Sequence, residues 1–127
     1  MPLLQISAEL GLRTALPVTA SRAEPLHFAE WTPGQPLSAG PFGLRQPAPD
    51  AVIVAPDLIL APMLGFDRAL NRIGQGAGHY DRAFAALPDA VRIGVAWSVQ
   101  EVDALTPDPW DVPLHAILTE AEWIENI

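Results

Sequence analysis

The chain has 127 residues, enough for one domain, and half of them are apolar, too many for a disordered segment. Seven arginines and no lysine face fifteen acids, a formal charge of −8 that argues against a nucleic-acid-binding or anionic-membrane-binding surface. Without cysteine or lysine, the chain has no disulfides, thiolate sites, Walker-type phosphate lysine or Schiff-base chemistry.

The elements follow in chain order. Leu3–Leu10 is predicted as a short helix closed by Gly11. Thr14–Leu16 reads as a brief strand stopped by Pro17, and the alternating Leu26–Trp31 as a half-buried strand. Residues 32–49 hold five prolines and three glycines and read as loop. Ala51–Val54 and Leu58–Ala61 are continuous apolar runs, the pattern of strands covered on both faces of a parallel sheet. Ala77–Leu87 is predicted as a helix with Tyr80, Phe84 and Leu87 on one face. Arg92–Trp97 and Leu114–Leu118 read as strands, and a short terminal helix is expected from Thr119, with Glu122 completing a capping box. Strands alternating with helices imply an α/β fold, a three-layer sandwich with a mainly parallel sheet.

No apolar run approaches the ~20 residues needed to cross a bilayer. The amino terminus lacks the cationic region of a signal peptide. A soluble, cytoplasmic protein is expected.

Charge is unevenly placed. Residues 65–92 carry four arginines (68, 72, 82, 92) and three aspartates (67, 81, 89), a net charge of +1, whereas residues 93–127 carry seven acids and no base. Inside the cationic stretch lies Arg72-Ile73-Gly74-Gln75-Gly76-Ala77-Gly78-His79-Tyr80-Asp81-Arg82. Three glycines before a helix start let a ligand approach the backbone, and free N–H groups there favour an anion. Arg72 can add a bidentate phosphate contact. A nucleotide-phosphate cradle that works without lysine is one reading; a tight glycine turn among ordinary surface arginines is the other. The spacing does not fit the dinucleotide fingerprint.

Pro62, Phe66-Asp67, Asn71-Arg72-Ile73-Gly74, Gly76, Gly78 and Tyr80-Asp81-Arg82 together resemble the signature of the 5-formyltetrahydrofolate cyclo-ligases, approximately P-x-x-x-F-D-x-x-G-x-R-L-G-x-G-x-G-x-Y-D-R. Phe42-Gly43-Leu44-Arg45-Gln46-Pro47, Gly94-Val95-Ala96 with Gln100, and Asp111 before Leu118-Thr119 are similar to further blocks of that family, so the match runs from about Leu12 to Thr119.

The resemblance implies the family's α/β fold and its reaction. ATP phosphorylates the formyl oxygen of 5-formyltetrahydrofolate, N10 closes the ring, and 5,10-methenyltetrahydrofolate, ADP and phosphate result. It implies ATP binding by Arg72, Ile73, Gly74, Gln75, Gly76, Ala77, Gly78, His79 and Tyr80. Arg72 and Tyr80 take catalytic roles, and Phe42, Gln75, Gly78 and His79 contact the folate. Asp81 and Asp111 hold Mg²⁺, which suits hard oxygen ligands. The partners implied are these small molecules, with no nucleic acid and no membrane.

The residues themselves leave other roles open. An acid at position 81 is favoured by the helix dipole alone. Asp111 suits a turn, Tyr80 a helix core and Phe42 loop packing. His79, where the family often has tyrosine, would make binding more pH-dependent.

Family members begin with a basic helical segment and a first strand that this chain is expected to lack, so that residues 1–127 form a single shortened domain. A truncated, non-catalytic nucleotide- or folate-binding paralogue is the alternative. Self-association through the incompletely covered strands Ala51–Val54, Leu58–Ala61 and Arg92–Trp97 is expected.

Overall fold

The computed structural model describes residues 7–18, 26–39, 45–74, 79–109 and 111–125. The chain divides into two compact units, Met1–Pro56 and Asp57–Ile127.

In the first unit, residues 7–9 are helical. Gly11, at φ 84°, closes that turn. Its N–H donates to the Ala8 carbonyl and that of Leu12 to the Ser7 carbonyl, both at 3.0 Å. These two bonds form the glycine stop expected at this position. Strand β1 (Ala15–Val18) pairs antiparallel with β2 (His27–Glu30). Pro17 lies inside β1, opposite Phe28, and does not end it. The reason is position: β1 is an edge strand, where a missing N–H costs no ladder bond. Residues 32–49 are not all loop, because β3 (Ser38–Ala39) and β4 (Arg45–Gln46) pair antiparallel.

β5 (Ile53–Val54) pairs antiparallel with β2 at the other edge of the sheet. The expectation that Ala51–Val54 is covered on both faces fails, since Val52 and Ile53 are 61% and 60% exposed. A short apolar run is compatible with an edge strand too, and the run alone does not distinguish them.

The second unit is built on a four-stranded sheet. β6 (Leu58–Pro62) leads into a small hairpin, β7 (Gly65–Phe66) and β8 (Arg72–Ile73), and then helix α1 (His79–Ala86). β9 (Val91–Val95), a 3₁₀ turn at Ser98–Gln100, β10 (Ala116–Leu118) and β11 (Trp123–Glu125) follow. The order is β11-β10-β9-β6, with β6, β9 and β10 parallel and β11 antiparallel. This is the α/β class with a mainly parallel sheet that the sequence led us to expect.

Ile59 and Ala61 of β6, Ala83 and Phe84 of α1, Ile117 of β10 and Ile124 of β11 are buried. Gly94 has no room for a side chain, because a Cβ there would overlap Met63 Cε and lie 2.6 Å from Leu114 Cδ1.

The terminal helix expected from Thr119 is replaced by β11. Thr119 Oγ1 does accept the N–H groups of Ala121 (3.1 Å) and Glu122 (3.0 Å), as a helix cap would. However, the Thr119 N–H donates to the Glu122 carbonyl at 3.0 Å and the chain doubles back. Trp123 is half exposed and Ile124 buried. That alternation suits a strand, and the same threonine motif opens both helices and turns. No helix among the described residues is long and apolar enough to cross a membrane.

Candidate functional site

The site gathers where β6 ends. Pro62 is the last residue of β6, and its carbonyl accepts a hydrogen bond from Arg72 Nη2 at 3.0 Å. The hairpin brings β8 back beside this strand end, so Arg72 crosses it with only 7% of its side chain exposed. Arg72 Nη1 lies 3.9 Å from Asp81 Oδ2, and the guanidinium sits 5.4 Å from the centre of the Tyr80 ring. Arg72 Nε is buried and has no hydrogen-bond partner among the described residues. Burial pulls the Arg72 pKa below its ordinary value, against the opposing pull of Asp81, Tyr80 and Asp111.

Asp81 is the third residue of α1, and its Oδ1 accepts the Val112 N–H at 3.2 Å. Burial pushes the Asp81 carboxyl up. The Val112 N–H and the Arg72 charge pull it down, the negative charge of Asp111 raises it again, and the net shift is upward. Asp111 serves the turn suggested by its surroundings, since its Oδ2 accepts the Asp108 N–H at 2.8 Å. It also faces Asp81.

Tyr80 packs at 6.0 Å, centre to centre, on Phe84, and burial raises its phenol pKa against the pull of Arg72. Ile73 is 40% exposed, while its carbonyl accepts the Leu64 N–H at 2.8 Å. At Gly74 a Cβ would come 3.0 Å from Arg72 Nη2, so the glycine leaves room for the arginine to fold over it.

The structure therefore brings together Arg72, Gly74, Tyr80, Asp81 and Asp111. Phe42, Gln75, Gly76, Ala77 and Gly78 lie outside the described residues, and His79 is described only as the backbone that starts α1.

The Asp81–Asp111 pair fits a magnesium ion. Two hard carboxylates stand close enough to repel, and a divalent cation would offset that repulsion. Among the described residues no group of three or more His, Cys, Asp or Glu surrounds such an ion. Phosphate oxygens and water would have to complete its shell, the usual arrangement for this ion.

Several residues that build the site are missing from the expected set. Asp67, 3% exposed, accepts four hydrogen bonds in the turn between β7 and β8. Gln100 Nε2 donates to the Met63 carbonyl at 3.1 Å while its Oε1 accepts the Trp97 N–H at 2.7 Å, tying the end of β9 to the end of β6. Beside these lies a groove of about 490 Å³ lined by Pro62, Met63, Val95, Trp97, Leu118 and Glu120, among others. It lies at the carboxyl ends of the parallel strands β6, β9 and β10, the usual place for ligands in such sheets. The signal in the sequence is that Asp67 and Gln100 stand in the blocks that resemble the cyclo-ligase family, without a role read for either.

The second unit thus defines a mixed α/β protein with an arginine–aspartate cluster at the carboxyl end of a parallel sheet. A family model described as the 5-formyltetrahydrofolate cyclo-ligase family matches residues 1–120, and the chain belongs to that family. The 5-formyltetrahydrofolate cyclo-ligase of Mycolicibacterium smegmatis is 38% identical over 126 residues, covering 92% of this chain and 64% of that protein. That of Escherichia coli K12 is 30% identical over 132 residues, covering 96% and 72%.

The NMR structure of Aquifex aeolicus 5,10-methenyltetrahydrofolate synthetase superimposes with a TM-score of 0.80 at 28% identity, covering 98% of this chain and 63% of that one. The Mycoplasma pneumoniae synthetase gives 0.65, also at 28% identity, covering 87% and 58%. The chain thus spans less than two thirds of the Mycolicibacterium protein and of both solved structures.

Against the family signature, Ile73 replaces leucine conservatively. Leu70 is the larger departure: it stands where the signature has glycine, and its φ is 70°.

Proposed function

We propose that the chain carries out the ATP- and Mg²⁺-dependent cyclisation of 5-formyltetrahydrofolate to 5,10-methenyltetrahydrofolate, with release of ADP and phosphate, in the cytoplasm and as a single domain. The convergence of Arg72, Asp81 and Asp111 at the end of β6 supports this reading best. A buried guanidinium whose Nε–H has no partner among the described residues suits an anionic partner.

Phosphoryl transfer asks the protein mainly for position and charge. In this reading Arg72 neutralises charge on the phosphoryl group moving to the formyl oxygen, and the Tyr80 ring fixes the guanidinium plane. The backbone from Ile73 through Gly78 to His79 wraps the triphosphate. Gln75, Gly78, His79 and Phe42 face the folate. Asp81 and Asp111 hold the magnesium ion, which would screen the triphosphate charge when bound. Self-association belongs to the same proposal. Leu58 of the edge strand β6 and its register partner Val91 of β9 are 50% and 43% exposed.

Turnover of 5-formyltetrahydrofolate, followed by absorbance of the methenyl product, tests the proposal. Product that forms only with both ATP and Mg²⁺ supports it. A second reading is a nucleotide- or folate-binding protein without turnover. Calorimetric binding of MgATP without product would decide for that reading.

A further inference from the structure

Leu70 is the one non-glycine residue with positive φ among the described residues, at 70°. A left-handed conformation is uncommon and costly for a bulky side chain, and it persists only where the surroundings over-determine it. Here they do. The N–H groups on both sides of Leu70, those of Ala69 (3.0 Å) and Asn71 (3.1 Å), donate to Oδ1 of Asp67. Oδ2 accepts the Asn71 side-chain amide at 3.1 Å and the Leu105 N–H at 2.9 Å. The Leu70 N–H donates to the Asp67 carbonyl at 3.2 Å, and the side chain is only 4% exposed.

The turn has two outputs. Along the chain, Asn71 runs directly into Arg72. Across space, the Leu70 carbonyl accepts the Leu114 N–H at 2.9 Å. Two residues before Leu114, the Val112 N–H donates to Asp81, and Asp111 adjoins it. A single strained peptide unit therefore holds both the strand that carries Arg72 and the segment that carries Asp111.

We infer that Leu70 is a positioning residue: its left-handed turn, bracketed by Asp67, sets the register of Arg72 against the Asp81–Asp111 pair. The inference rests on the reading of these three residues as the MgATP cluster.

Leu70→Ile tests it, because isoleucine keeps the volume while its β-branch resists positive φ. Amide hydrogen exchange is measured on the ligand-free protein. The Val112 and Leu114 amides are expected to exchange at least tenfold faster than in the parent. The Ala96 amide, bonded to the Leu118 carbonyl inside the sheet, is expected to keep its parent rate. Affinity for MgATP is expected to fall at least tenfold. Parent-like rates at Val112 and Leu114, or equal acceleration at Ala96, overturn the inference.

Leu70→Gly is the second variant, since glycine adopts this φ without strain. Its ratio of Val112 to Ala96 protection is expected to match the parent even if the melting temperature falls. A lost ratio overturns the inference, and this variant decides if Leu70→Ile does not fold. Failure of the parent to bind MgATP overturns the cyclo-ligase reading instead, and the exchange ratio still decides the positioning role.

Discussion

Asp67 and Asp81 are two acids of the same compact unit that bury their carboxylates for opposite ends. In the turn after β7, burial pushes the Asp67 carboxyl up. Bonds from Leu105, from the side chain and backbone of Asn71 and from Ala69 outweigh that, so its pKa is held below the ordinary value. At the start of α1, Asp81 has one backbone donor among the described residues, an arginine 3.9 Å away and a like-charged neighbour, and its pKa is raised. A carboxylate supplied with every donor it can use is structural. One left short of donors beside another negative charge keeps capacity for a ligand.

The largest expected effect comes from making the same neutral substitution at both sites. Asp67→Asn turns an NH₂ toward the donors Leu105 N–H and Asn71 Nδ2, leaving buried donors unpaired. The variant is expected to lose about 2–5 kcal/mol of stability, on the scale of unsatisfied buried partners of a charge. Asp81→Asn removes a desolvated, repelled charge and is expected to leave stability unchanged or slightly raised. Urea unfolding of both variants checks this, and equal losses would erase the distinction between the two acids.

Next in size is the metal dependence. Asp81→Asn and Asp111→Asn are each expected to weaken ATP binding about tenfold or more in the presence of Mg²⁺, and far less without it. The charge removed serves the ion rather than the nucleotide. Calorimetry with and without Mg²⁺ measures the difference. Equal losses under both conditions would give these residues a structural role.

A smaller effect is expected in acid. Asp67 has a native pKa below its unfolded one, so its contribution is complete above the ordinary carboxylate range and is lost as pH falls through the native value. Asp81 has the opposite shift, so its contribution is complete at low pH and declines as pH rises through the carboxylate range toward the raised native value. The pH slope of stability between about pH 3 and 5 should therefore flatten in Asp67→Asn and steepen in Asp81→Asn. Slopes that change in the same direction would contradict the two environments.

The contrast between the two acids also explains what the sequence disclosed. Leu58–Ala61 and Arg92–Trp97 were legible as strands because apolar runs of that length, bounded by proline or turns, leave few alternatives, but not as covered ones: β9 ends at Val95, and Leu58 and Trp97 are 50% and 65% exposed. Arg72 and Asp81 were legible because they lie within one dense motif. Asp111, thirty residues away, is tied to them by the family pattern and not by any local periodicity. Asp67 was not readable as a tether, because one of its four donors, Leu105, is 38 residues distant. Two-residue strands such as β7 and β8 carry no period at all. Val52 and Ile53 show the converse: a clear apolar signal whose burial depends on what the rest of the chain places over it. Leu70 was readable only as a mismatch with the signature, and its φ gives the mismatch a meaning.

The smallest expected effect lies at the other tie of the Asp111 segment. His115 Nδ1 accepts the Arg92 N–H at 2.8 Å, and the His115 N–H donates to the Arg92 carbonyl at 2.9 Å. Arg92 Nε donates to the Pro113 carbonyl at 2.9 Å. An imidazolium has no lone pair on Nδ1, so protonation removes the first of these bonds. Burial first, and then the charge of Arg92, hold the His115 pKa below its ordinary value. The native state therefore binds this proton less readily than the unfolded chain. The contribution is complete above the ordinary value of 6.5 and is lost as pH falls through it toward the lowered native value. One neutral hydrogen bond at an exposed residue is worth no more than about 1 kcal/mol. His115→Asn places an amide oxygen near the position of Nδ1 and accepts the Arg92 N–H at any pH. The parent is expected to lose a little stability between pH 7.5 and 5.5, and the variant to lose less. Identical losses in urea unfolding, or an NMR titration placing His115 at or above 6.5, would remove this tie from the account and leave the Leu70 carbonyl as the principal hold on the Asp111 segment.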